Sequence, residues 1–260
     1  MAEYAPQYNL FRIINRLTLV RQFVFWAILV FSILPIVFRE YCGSQNLINL
    51  INIFNIIGIS LFFILEVISD YILIPQADNK RRDDFIDNSF GSVFSPNNSI
   101  GYFDNDELSK GLYKASVNLF ENCFFTYSLV KITTTKKIIS PAIMLLFMLA
   151  FAYYGFKKDF PFALSVLQAL FSANILGQLI KHLILLNRLT TIQDSWIALF
   201  QHIDIKTNTH KYQTSVYRLW LQYEALHSKI NAGIPEKIYN KHNPPLTEEW
   251  KKMKSKYNIS

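Results

Sequence analysis

Four predominantly apolar blocks limit what this chain can become. They run from Phe23 to Phe38, from Leu47 to Ile74, from Ile138 to Phe156, and from about Phe160 to Leu186. A helix rises about 1.5 Å per residue, so roughly 20 apolar residues cross a ~30 Å hydrocarbon core. Only 17% of the 260 residues are charged and 51% are hydrophobic, whereas a soluble domain carries about 25% charged residues. Such a deficit means either an unusually large dry core or contact with lipid. Clustering of the apolar residues into four blocks favours lipid.

The first block is slightly short, but Leu17–Val20 extend it to a span of about 17–38, with Arg21 snorkelling toward the headgroups. A cleaved signal peptide would need small residues after its apolar stretch, and Arg39-Glu40-Tyr41 follow instead. After a turn containing Gly43, the second span covers about 47–70, and its helix is expected to end before Pro75. Lys136-Lys137 and Lys157-Lys158 bracket a third span at 138–156. The fourth, about 160–180, exits near Lys181 and His182. The expected fold is therefore all-α, an integral membrane protein with four transmembrane helices in two hairpins. Residues 1–76 form the first hairpin and 77–137 a cytoplasmic helical linker domain. Residues 138–186 form the second hairpin, and 187–260 a basic helical cytoplasmic tail.

Lysine and arginine counts set the orientation. The N-terminal stretch to Arg21 holds three, Ala77–Lys137 eight, and the tail from Lys181 twelve, whereas the opposite turns hold only Arg39, Lys157 and Lys158. Both termini are expected in the cytoplasm. Ala77–Lys137 is electrically neutral, so most of the net charge of +7 belongs to the tail. Such a surplus serves attraction to an anionic leaflet or binding of an anionic ligand. Cys42 and Cys123 fall on opposite sides of the bilayer in this topology and read as packing residues.

The inner segments carry helical periodicity. Asp104, three residues before Glu107, resembles an acidic capping box, and Leu108, Leu112, Ala115, Leu119, Cys123 and Tyr127 then recur every three or four residues toward the third span. Leu189, Ile192, Trp196, Leu199, Phe200 and Ile203 continue beyond the fourth span in the same way. Another helix carries Val216, Leu219, Trp220, Tyr223, Leu226 and Ile230 and stops at Gly233 and Pro235. Thr247 is expected to cap a short basic helix with Glu248 and Glu249 in its first turn.

No catalytic constellation, phosphate-cradling glycine loop or metal-spaced cluster stands out, so neither an enzyme nor a cofactor is expected. Polar residues inside the spans are more telling, because each is costly in lipid. Asn49, Asn52 and Asn55 repeat every three residues, Glu66 and Asp70 share one face, and Gln168, Ser172 and Gln178 lie in the fourth block. They either hydrogen-bond helix to helix or line a wetted pore. For Glu66 and Asp70, an ion pair to Lys131, Lys136 or Lys137 is a further expectation. Lys80-Arg81-Arg82, followed at once by Asp83 and Asp84, reads first as a solvated mixed-charge surface. Its other reading makes Arg81 and Arg82 contacts for an anion. Lys211, Tyr212, Tyr217 and Arg218 interleave aromatic and basic groups that can stack on a base and pair with a phosphate. Core packing is the expectation for Trp220 and Tyr223.

Two stretches carry a resemblance. One is Arg82-Asp83-Asp84-Phe85-Ile86-Asp87-Asn88-Ser89-Phe90-Gly91. The other is Gly233-Ile234-Pro235-Glu236-Lys237-Ile238-Tyr239 with the helix after it. Together with the two-plus-two span layout, they make the chain resemble the SMODS-associating four-transmembrane effector family of bacterial CBASS-type anti-phage systems. Phe85-Ile86-Asp87 departs from the adjoining Phe-Asp pair of that family. The resemblance implies a multi-pass protein of the bacterial inner membrane that stays quiet until a cyclic oligonucleotide binds its cytoplasmic part. It then permeabilises the membrane as a homo-oligomer. The lipid bilayer and the cyclic oligonucleotide would be its partners, and no nucleic-acid polymer is implied. Two rival classes follow from the residues alone: a small ion channel or transporter, and a membrane scaffold recruiting a cytoplasmic partner.

Overall fold

The computed structural model describes residues 4–41, 44–103, 105–158 and 175–259, and its regular structure is helical. The helices are α1 (Tyr8–Tyr41), α2 (Gln45–Val67), α3 (Ile74–Phe90), α4 (Leu112–Lys158), α5 (Ile175–Phe200), α6 (Gln213–Lys229) and α7 (Glu236–Lys256). A π-helical segment, Ile68–Leu73, joins α2 to α3, and a 3-10 turn, Thr209–Tyr212, leads into α6. Extended structure among the described residues comes down to one backbone pairing, Tyr4 with Ile100. Two runs, Tyr8–Ser32 and Gln45–Phe90, are long and apolar enough to cross a membrane, with mean hydropathies of 1.5 and 2.2 in their most apolar windows.

The chain divides into two compact units. One gathers the segment ending at Arg12, Ile74–Thr135 and the segment beginning at Lys181. The other holds Ile13–Leu73 and Lys136–Ile180. Each of the four passages between them falls within helical structure, inside α1, at the junction of the π segment with α3, inside α4 and inside α5.

In the first unit α4 is the central element. Every residue from Lys114 to Glu121 is buried, so the helix is enclosed on all sides there and not along one stripe. Phe120 explains the enclosure: its ring lies 5.1 Å from Phe200 of α5 and 5.2 Å, edge-on, from Trp250 of α7. Trp196, Leu189 and Leu185 of α5 are fully buried in the same cluster, as are Val216 and Leu219 of α6. Cys123 is also buried, in keeping with a packing role. Cys42 and Asp104 lie outside the described residues.

The second unit contains the α1–α2 hairpin. Arg21 meets Asp70 at 3.3 Å, Phe31 stacks on Phe54 at 6.2 Å, and Asn55 donates to Ser32 Oγ at 3.1 Å. From Arg21–Asp70 to the pairs at 31–54 and 32–55, the position rises along α1 and falls along the second arm of the hairpin, so the two helices are antiparallel. A Cβ added at Gly58 would meet Ile28 Cγ1 at 3.0 Å, so the absence of a side chain lets α2 approach α1 closely. Away from this seam the apolar side chains face outward. Leu19 is 66% exposed, Phe23 73%, Ile56 64% and Phe63 64%.

Four local expectations are corrected. The second helix does not end before Pro75 but continues through it to Phe90. The wider π turn just before the proline is an irregularity of the kind that absorbs a missing N–H and a bulky ring. The helix expected from Asp104 begins only at Leu112, and Leu108 is buried in the turn ahead of it. Ile203 leaves the apolar stripe, because α5 ends at Phe200 and Ile203 is 98% exposed. Thr247 is no cap. The last helix starts at Glu236, and the Thr247 hydroxyl donates to the Asn243 carbonyl one turn back inside that helix.

Trp250 carries the most testable packing claim. Replacing it by alanine removes a fully buried indole from against Phe120 and Phe124, and losses of about 3–5 kcal/mol are typical of such truncations. In detergent, Trp250→Ala should lower the unfolding midpoint of the helical body and open α7 to limited proteolysis ahead of α4.

Candidate functional site

The densest set of buried charges in the first unit joins α3 to α6. Arg81 Nη2 donates to Glu224 Oε2 at 2.7 Å, and Arg82 Nε donates to the same oxygen at 2.8 Å. Arg82 also reaches Asn79 Oδ1 at 3.2 Å, and Arg81 Nε stands 3.7 Å from Asp78 Oδ1. The side chains of Arg81, Asp78 and Glu224 are 11%, 10% and 16% exposed, while Arg82 keeps 33%. The first reading of Lys80-Arg81-Arg82, a solvated surface, is thus corrected for the two arginines. Helical spacing turns them toward α6, where burial favours a direct counterion. Arg82 and Lys80 retain contact with solvent.

Burial pushes the Glu224 carboxyl up, but the neighbouring Arg81 charge and the hydrogen bonds from Arg81 and Arg82 outweigh it and hold the group below the usual range. Asp78 is raised, because its burial outweighs its arginine neighbours. His227, one turn after Glu224, sits 4.5 Å from the Tyr223 ring. Burial and then the Arg81 charge push its imidazole down to about 3, against the opposing pull of Glu224. The Tyr223 hydroxyl pairs with Thr126 at 3.1 Å and donates to the Asn122 carbonyl at 3.3 Å. This closes the cluster against α4. Trp220 packs 5.2 Å from Phe85 and 6.3 Å from Phe90, so the core roles expected for Trp220 and Tyr223 are observed.

A second polar cluster fastens the end of the chain. Buried Asn105 donates to Asn118 Oδ1 at 2.9 Å and to Glu121 Oε2, and Lys254 Nζ reaches Asn105 Oδ1 at 3.1 Å and Glu107 Oε1 at 2.9 Å. Asn118 in turn donates to Asn88 and Ser89 of α3. Two of the carboxylates after Arg82 are occupied elsewhere. Asp84 accepts the Ser99 N–H at 2.7 Å, and Asp87 accepts those of Phe94 and Ser95. They shape the loop after α3 and leave Arg81 and Arg82 to Glu224.

The aromatic and basic residues near α6 are divided. Lys211 Nζ and the Tyr212 hydroxyl both bond to Asp204, and Tyr212 stacks on His202 at 5.0 Å. Tyr217 and Arg218 are exposed. Within the second unit, Asp70 pairs with Arg21 rather than with Lys131, Lys136 or Lys137, a correction that follows from the antiparallel register of α1 and α2. Glu66 is half-buried and Asn49 and Asn52 are exposed, with Gln45 donating to Asn49 Oδ1 at 3.0 Å. Gln168 and Ser172 lie outside the described residues, and Gln178 belongs to α5 with its side chain outside that description.

Comparison with family models, curated proteins and solved structures finds no match. The site therefore has to be read from its own chemistry. Two guanidiniums converging on one oxygen form an anion-binding arrangement, here filled by a carboxylate of the same chain. Among the described residues, no group of three or more His, Cys, Asp or Glu is placed to hold a metal ion.

Sequence reasoning missed Glu224, although a signal existed. It is the sole acidic residue between Asp204 and Glu236 and follows Trp220 and Tyr223 on an amphipathic helix. His227 supplies the test of the cluster's electrostatics. A histidine with a depressed folded pKa lends stability above its ordinary value of 6.5, and that stability fades as pH falls toward about 3, because the unfolded chain takes up the proton first. The stability of His227→Gln should fall less steeply than that of the parent between pH 6.5 and about pH 5, as followed by thermal unfolding in detergent. Parallel curves for the two proteins would contradict a neutral, charge-hemmed imidazole.

Proposed function

We propose that this chain is a four-span membrane effector of a nucleotide-triggered defence system, as its resemblance to the SMODS-associating effectors implies. In this reading a cyclic oligonucleotide binds the cytoplasmic helical body, and the chain, as a homo-oligomer, permeabilises the bacterial inner membrane. Four spans in the same reading, at about 17–38, 47–70, 138–156 and 160–180, bring both termini to one side of the bilayer, and the excess of lysine and arginine on that side favours the cytoplasm.

The observation that carries the reading is the outward-facing apolar surface of α1 and α2. Only 11% and 6% of their most apolar windows are buried, whereas the core helix of a soluble protein would be mostly buried. Leaving each large apolar side chain in water forgoes about 1.5–3 kcal/mol, so lipid is the solvent that suits this surface. The first unit has its own aromatic core and a basic C-terminal part, the composition expected of a water-exposed sensor. Between sensor and spans the chain passes without leaving helical structure, which gives a ligand-driven shift a direct route along the backbone. A ligand favouring one arrangement of the helical body then raises the population of the permeable state.

Dye uptake tests this directly. Cells expressing the chain should admit a membrane-impermeant dye when cyclic oligonucleotides are supplied, and exclude it otherwise. Membranes that stay sealed with every cyclic oligonucleotide tried would overturn the proposal. Asn52→Leu separates a pore from a scaffold. With protein level unchanged, a wetted pore face loses dye entry by tenfold or more, whereas a scaffold tolerates the change.

A further inference from the structure

Glu224 occupies its place between two guanidiniums as a ligand would. Arg81 and Arg82 together carry ten N–H donors, yet the carboxylate engages one from each, both through Oε2. Arg81 Nε is buried and has no hydrogen-bond partner within range. Such a pair of adjacent arginines suits a phosphate group, whose several oxygens can accept more of these donors than one carboxylate oxygen does. Arg82, at 33% exposure, leaves a way in from solvent. Asp78 is ion-paired with Arg81 Nε at 3.7 Å and competes for that side of the guanidinium.

We propose that Arg81 and Arg82 form a phosphate-binding site that Glu224 plugs in the resting chain, and that a phosphate-bearing ligand takes the place of Glu224 and frees α6 from α3. Tyr217, seven residues earlier, lies on the same stripe of α6 as Glu224, about 10 Å along the helix, and is 46% exposed. A ligand that carries a planar ring beside its phosphate gains a stacking surface there. The purpose assigned to this site rests on the effector reading, but binding does not. Phosphate recognition at Arg81 and Arg82 is measurable whether or not the membrane is ever breached.

The experiment uses the full chain in detergent with pyrophosphate, a cyclic dinucleotide and, in nanodiscs, phosphatidylcholine with and without phosphatidylglycerol. Pyrophosphate should raise the unfolding temperature of the parent protein, and Arg82→Gln should abolish the shift. Glu224→Gln, which keeps the shape and removes the charge of the plug, should bind pyrophosphate at least tenfold more tightly. Tyr217→Ala should weaken the cyclic dinucleotide and spare pyrophosphate. If Glu224→Gln does not fold, the contrast between the parent and Arg82→Gln still decides. Protection by the soluble phosphates identifies a soluble ligand, and protection by phosphatidylglycerol alone identifies a lipid headgroup. No shift with any probe, an equal shift in Arg82→Gln, or unchanged affinity in folded Glu224→Gln would overturn the site. Dye entry that persists alongside such a result would leave the effector reading standing without it.

Discussion

Apolar surface has to be covered by something, and the two units of this chain are covered by different means. In the helical body α4 is wrapped by aromatic side chains of α5 and α7, and its residues from Lys114 to Glu121 lose contact with solvent. Among the described residues of the α1–α2 hairpin, protein covers a narrow seam, and side chains such as Phe23 and Phe63 are exposed away from it. The hydrophobic effect acts on both, but only the first satisfies it internally. That difference sets what each unit can do. A body with its own core hides its apolar side chains by itself, while a hairpin without one calls for lipid or further helices.

Enclosing α4 also brings polar groups inside, and these are satisfied by partners distant in sequence. Asn105, Asn118 and Glu121 form one chain of hydrogen bonds that Lys254 joins from the C-terminal helix. Arg81, Arg82 and Glu224 form another between α3 and α6. Removing one partner from such a network strands a charge at a cost of several kcal/mol, whereas exchanging one anion for another does not. In the second network, Arg82 is the member that keeps contact with solvent, while Arg81 and Glu224 are largely enclosed.

How far the sequence foretold this varies with the range of the interaction. The second block, Leu47–Ile74, announced a long apolar helix through length and composition alone. The α6 stripe of Val216, Leu219 and Tyr223 was legible from its spacing, because helical period is a local property. Pro75 misled, since local rules treat proline as a stop while a π turn lets the helix continue. Arg81 and Arg82 misled for another reason. Their neighbours Asp83 and Asp84 look like counterions along the chain, but helix geometry sends Asp84 to the Ser99 amide and the arginines to a residue more than 140 positions away.

Sequence alone determined that this chain is helical, that it carries helices able to cross a membrane, and where its excess positive charge resides. Each follows from properties summed over neighbouring residues. Only the tertiary structure decided that Asp70 answers Arg21, that Glu224 answers Arg81 and Arg82, and that Lys254 closes onto Asn105. Charge pairing depends on distance in space, and the distances that matter here arise only once helices far apart in the chain have packed.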